Sequence, residues 1–327
     1  MPKLFENCRL PPRLLPFRLF AGFAALLLLF PTNHFPFDDF ATSYQVGSSR
    51  IDIEVDRPDS LSVSKQDLLE WAHSASDSVA NYYGRYPVPH VALRIIPTDG
   101  RGIRGGKTFP ESDGGSIRIH VGTKTIKAGL ETDWMLTHEM VHLAFPSVAD
   151  EHHWIEEGLS TYVEPIARVR AGNLDVHQMW FEVMRDLHQG LPEDDDKGLD
   201  HTHTWARTYW GGALFCFLAD VEIHRHTNNR KGLDDALRGI LDAGGDIRSD
   251  WKLTDALRIG DKAAGVAVLV PLYDKMKDQP YDVDLPALWM DLGVERSGDT
   301  VTFNDKAPLA NVRRAITYGQ SERLQSH

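Results

Sequence analysis

An α+β fold is predicted by two features of this 327-residue chain: strand-like alternation is confined to its first part, and helical periodicity takes over from residue 131. Strands gathered at one end and helices at the other build a sheet with helices packed on it, whereas strict alternation of the two would build a doubly wound parallel sheet. A small mixed sheet in the N-terminal part, packed on a predominantly helical C-terminal part, is therefore expected.

The first strand is RIDIEVD (50–56), which alternates at the two-residue period of a half-buried strand. SKQDLLEWAHSASDSVANYYGRY (64–86) has apolar residues at helical spacing, and Ser64 stands where an N-cap belongs. HVALRIIP (90–97) and SIRIHVG (116–122) are two further strands. Between them, DGRGIRGGKTFPESDGG matches neither phosphate-loop pattern and opens no helix, so it reads as a turn or rim loop. Helices are then expected at 131–145, 153–170, 174–189, 204–226, 231–243, 251–259, 265–278 and 307–318. The acidic stretch PEDDDKGLD (192–200) reads as a solvated loop, with a Ca²⁺ site as the weaker alternative.

Ahead of this domain, placed at 51–327, residues 31–50 read as a linker rich in Pro, Asp and Ser. Residues 1–30 carry Lys3, Arg9, Arg13 and Arg18 before the apolar run Ala21–Phe30, the order of a basic region and a hydrophobic region in a secretory signal. No A-x-A site follows, so the segment is expected to be either a cleaved signal or a membrane anchor. The domain is accordingly expected to be exported: periplasmic, secreted or held at the membrane by this segment.

The net charge is −12, and without the +3 of residues 1–30 it is −15. So acidic a body is a poor nucleic-acid binder and is repelled by anionic lipid. Of the two cysteines, Cys8 lies in the N-terminal segment and Cys216 in an apolar helical run, so no disulfide framework is expected.

Chemistry concentrates in TDWMLTHEMVHLAF (132–145). His138 and His142 are four residues apart and share one helix face, so both imidazoles can reach one metal ion. Glu139 is rotated about 100° from His138, beside the ion and not on it, where a general base belongs. Zinc at tetrahedral geometry needs a third protein ligand and an open fourth position. The next helix, in DEHHWIEEGLSTYVEP (150–165), follows a short loop and can return antiparallel. It offers Glu157, with fourteen residues between it and His142, which completes a His₂Glu set for Zn²⁺. Glu156 points away and Glu164 lies two turns on, while Gly158 lets the two helices approach closely.

These two segments, HEMVH and WIEEGLSTYVE, resemble the gluzincin zinc metallopeptidases, whose halves are H-E-x-x-H and W-x-x-E-G-x-[ST]-x-Y-x-E. The match includes Trp154, Glu157, Gly158, Ser160, Tyr162 and Glu164. The aminopeptidase N and glycyl aminopeptidase branch is the most similar, although its spacer between the halves is longer. RTYWGGALFCFLADVEIHRHTNNRKGLDDALRGIL (207–241) is similar to that family's Y-x-x-G-A helix and its LDD continuation, and FNDKAPLANVRRAIT (303–317) more weakly to the end of its catalytic domain. The resemblance implies a thermolysin-like catalytic domain, a zinc cofactor, peptide or protein substrates, and an oxyanion-stabilising role for Tyr209.

The family's aminopeptidases also carry a G-x-M-E-N or G-G-x-E-H loop whose Glu holds the substrate amine. The stretch ESDGGSIRIHVG has Gly114 and Gly115 but no such Glu after them, and Glu111 is a poor substitute. The expected function is zinc-dependent peptide-bond hydrolysis with Glu139 as base. A zinc-stabilised binding or chaperone-like protein and an aminopeptidase are the rivals. His152 and His153 read as rim residues, His201 and His203 as solvated or cleft-lining, and Arg207 as a candidate partner for a substrate carboxylate.

Overall fold

The computed structural model describes residues 40–319. The N-terminal segment, and with it the export expectation, lies outside those residues, as do 31–39 of the expected linker. Residues 40–50 do not link; they fold. Phe40–Val46 (β1) and Ser49–Val55 (β2) form an antiparallel hairpin that turns at Gly47, whose φ of 60° is a left-handed conformation open to glycine at little cost.

Ser64 caps the helix Lys65–Tyr83 (α1): its hydroxyl accepts the Asp67 N–H while the Asp67 carboxylate accepts the Ser64 N–H. The crossover through α1 lets His90–Thr98 (β3) lie parallel to β2. Ile103–Glu111 (β4) and Gly114–Gly122 (β5) follow, and the sheet order is β1-β2-β3-β5-β4, with β4 antiparallel on the edge. Ile51, Ile53, Val55, Val91, Leu93, Ile95, Ile117, Ile119 and Val121 alternate onto one buried face, and burying them drives sheet formation.

The expected rim loop is therefore a strand. An edge strand is covered on one side only, so β4 lacks the regular inside-outside pattern, and Gly105 and Gly106 lower its propensity further. Pairing with β5, not patterning, makes it a strand.

The expected helix 131–145 is split into Lys127–Glu131 (α2), Met135–Val141 (α3) and a 3₁₀ turn at His142–Ala144. Asp133 makes the break, because its carboxylate accepts the N–H groups of Met135 and Leu136 at 3.1 and 3.0 Å and the Trp71 indole N–H at 3.1 Å. Orphan donors at the start of α3 are thereby satisfied. His153–Arg170 (α4) and Val176–Asp186 (α5) lie close to expectation.

A π-helical turn at Arg207–Gly211 leads into Gly212–Thr227 (α6), followed by Leu233–Asp242 (α7), Leu253–Ala264 (α8) and Leu269–Met276 (α9). Leu285–Leu292 (α10) and the hairpin Val294–Ser297 (β6) with Thr300–Phe303 (β7) were not anticipated, and Ala310–Tyr318 (α11) closes the described chain. The α10 run is too short for helical periodicity to stand out; its Asp284 cap and the left-handed Gly293 delimit it. Cys216 is fully buried in α6, as an inert core residue should be. Among the described residues, no helix is long and apolar enough to cross a membrane.

Candidate metal centre

The buried helix α3 packs against the edge strand β4 and against α4. His138 and His142 project toward α4 with ring centroids 5.0 Å apart, and Glu157 meets them from its second turn. Glu157 Oε2 lies 3.2 Å from His138 Nε2 and 3.6 Å from His142 Nε2. Zinc bonds of about 2.0–2.1 Å at tetrahedral angles would separate ligand atoms by about 3.3 Å, close to both distances. Two imidazole nitrogens and one carboxylate, their donor atoms all within 4.8 Å of one another, form a donor set that suits zinc.

The electrostatics of the three groups are mutual. Burial opposes ionisation of Glu157, yet His142, His138 and His153 outweigh it and hold the carboxyl far below the usual range. Burial pushes His142 down from the ordinary imidazole value, with Glu157 opposing. For His138, burial also pulls downward, but its hydrogen bond and charge interaction with Glu157 prevail and raise it.

His153 is more than a rim residue. Its Nδ1 lies 2.8 Å from Glu156 Oε2 and its Nε2 3.3 Å from Glu157 Oε1, so it steadies the carboxylate oxygen turned away from the two histidines. The Glu156 and Glu157 contacts push its pKa up to about 10. The i, i+4 spacing of His153 and Glu157 on one helix was the available signal.

Glu139 is buried beside this trio, and the Thr108 hydroxyl on β4 donates to it, with Oε2 at 2.7 Å. Glu164 does stay off the trio, in a buried pair with Arg168 at 2.7 Å. Burial raises its pKa to about 7 against the pull of Arg168.

Tyr209 is carried to the same place by the π-helical turn, an irregularity frequent at functional sites. Its ring lies 6.2 Å from the His138 ring and nearly parallel to it, and 5.5 Å from the ring of Trp205. Trp134 meets His138 edge-on at 5.5 Å. Trp134 and Trp205, 43% and 48% exposed, thus bracket a row of rings that runs through His138 and Tyr209.

The chain matches solved structures over most of its described length. An aminopeptidase N family protein from Idiomarina loihiensis superposes with a TM-score of 0.59 at 11% identity, over 79% of this chain and 49% of that one. An M1 zinc metallopeptidase from Deinococcus radiodurans superposes at 0.50 with 14% identity, over 75% of this chain and 53% of that one. The fold is shared with these metallopeptidases. The chain spans about half the length of the solved structures it matches. No protein-family model and no curated protein matches it.

Several expected roles are corrected. Arg207 cannot meet a substrate, because it is buried, paired with Asp196 at 2.6 Å and bonded to the Gly190 carbonyl. His201 and His203 keep the solvated reading: both are exposed, and His201 is bound to Asp278 at 2.9 Å. His152 joins Trp154 and Tyr273 on Asp200, a buried polar node and not a ligand position. Gly158 permits a close approach, but its nearest neighbour is α6, where it abuts Gly212. A strand bordering the site is β4, which carries Gly105 and Gly106.

Proposed function

We propose that the chain is a zinc-dependent peptidase that cleaves inside peptides. The observation that carries the reading is Glu157 Oε2 set 3.2 and 3.6 Å from the two histidine nitrogens, with a buried Glu139 alongside. His138, His142 and Glu157 would hold the zinc, which when bound would supply a Lewis acid to polarise the scissile carbonyl and acidify water. Glu139 takes a proton from the attacking water and delivers it to the departing amine. The Tyr209 hydroxyl donates to the oxyanion as the carbonyl becomes tetrahedral.

The edge strand supports an extended substrate. Among the described residues β4 has only β5 as a ladder partner, so its outer edge can accept a peptide by strand addition. Cleavage from the N-terminus would call for a carboxylate to hold a free amine, and the segment Ile103–Pro110 has none. Glu111 ends the strand with its carboxylate bonded to the Ser116 hydroxyl at 2.9 Å. These features favour endopeptidase action over the aminopeptidase activity named for the Idiomarina family.

Digestion of a peptide library, with and without chelator and with free or blocked N-termini, tests the reading by mass spectrometry. Chelator-sensitive internal cuts, indifferent to blocking, are expected. Cuts only one residue from free N-termini would make it an aminopeptidase, and no cuts at all would leave a zinc-stabilised binding protein. Export is proposed on the basic and apolar order of residues 1–30, and fractionation of the full-length chain from a bacterial host tests it.

A further inference from the structure

Thr108 sits on β4 with Oγ1 2.7 Å from Glu139 Oε2 and 2.8 Å from the Glu139 backbone oxygen. A hydroxyl has one proton, so it donates to one of these acceptors at a time. Gly106 is two residues earlier and therefore on the same face of the strand. A Cβ there would come within 2.6 Å of Glu139 Cγ. Gly106 and Thr108 together form a seat for the Glu139 side chain: the glycine leaves room for Cγ and Oε1, and the hydroxyl holds Oε2.

We propose that Thr108 is a positioning residue for Glu139, fixing the carboxylate so that its other oxygen faces the attacking water. This rests on the reading of Glu139 as the base. A glutamate has three side-chain torsions, and a base that swings spends little of its time in reactive geometry. Thr108 removes that freedom from outside the helix. The contact also survives proton transfer. Once Glu139 holds the water's proton on that other oxygen, Oε2 is still an acceptor and Thr108 can go on donating to it. The bland account is that Thr108 merely caps α3, since Glu139 carries one of the last four carbonyls of that helix.

The two accounts differ in their coupling to the Glu139 carboxylate. Thr108→Val removes the donor at nearly constant shape, Thr108→Ser keeps it, and Thr108→Ala serves should the valine variant fail to fold. Each is made in wild type and in Glu139→Gln, and zinc content, melting temperature, kcat and KM on a library-derived peptide are measured. Calorimetric titration with a peptide hydroxamate, whose hydroxyl faces the base, gives a readout free of turnover. Thr108→Val is expected to keep zinc, hold KM within about threefold and lower kcat roughly 10- to 100-fold. Hydroxamate binding should weaken about tenfold, Thr108→Ser should recover most of both losses, and neither loss should recur in the Glu139→Gln background. An unchanged kcat in Thr108→Val, or equal losses in both backgrounds, overturns the proposal in favour of the cap. Wild type that neither cleaves peptides nor binds hydroxamate overturns the peptidase reading, and this one with it.

Discussion

Gly158 of α4 and Gly212 of α6 abut so closely that a Cβ on Gly158 would fall 2.3 Å from the Gly212 backbone. A Cβ on Gly212 would in turn meet the Trp154 carbonyl oxygen at 2.1 Å. Both obstacles are backbone, which cannot rotate aside. Gly158 follows Glu157 directly, and Gly212 follows the π-helical turn that carries Tyr209, so this crossing sets one side of the site against the other. Gly158→Ala should push the helices apart, cost about 1–3 kcal/mol of stability and weaken zinc binding through Glu157. Denaturant unfolding and a competitive chelator titration measure the two effects; a variant with wild-type values of both would mean that the crossing is slack.

His142→Ala takes away one of three ligands. Purified wild type should hold one equivalent of zinc by elemental analysis, and the variant should lose it, because an incomplete set leaves two ligand groups facing an open coordination sphere. Full zinc occupancy in the variant would show that the ion is held elsewhere.

Glu139→Gln separates holding the metal from using it. The amide keeps the size of the side chain and can still accept from Thr108, but it cannot take up a proton. Zinc content should stay, while kcat falls by roughly 10²–10⁴. Zinc loss in this variant would make Glu139 part of the ligand set.

Tyr209→Phe removes a hydroxyl whose ring stacks near His138 and Trp205. Stabilisation reserved for the oxyanion acts on turnover, so kcat should drop by about 10²–10³ with KM and zinc content little changed. If the variant instead melts earlier while kcat stays within a few-fold, the tyrosine only packs at the start of its helix. The exposed His203, changed to Ala, is the control for another oxyanion donor.

Much of this centre was legible from spacing. An i, i+4 pair of histidines shares a helix face whatever surrounds it, and a short return loop brings the next helix alongside, so His138, His142 and Glu157 could be grouped from sequence. The capping box at Ser64 and Asp67 is equally local. The misreadings have one cause. β4 is a strand because β5 pairs with it, Arg207 is sequestered because Asp196 is folded against it, and Gly158 serves α6 because that helix crosses α4 there.

The sequence by itself determined the residue types of the centre and their helical phase, because backbone geometry places neighbours within a turn without help from the rest of the chain. Only the tertiary structure decided what surrounds them. It supplied Thr108 from an edge strand thirty-one positions earlier in the chain, His153 against the far oxygen of Glu157, and Tyr209 on its π-helical turn. Those partners are fixed by packing between elements distant in the chain, and no local period records which surfaces will meet.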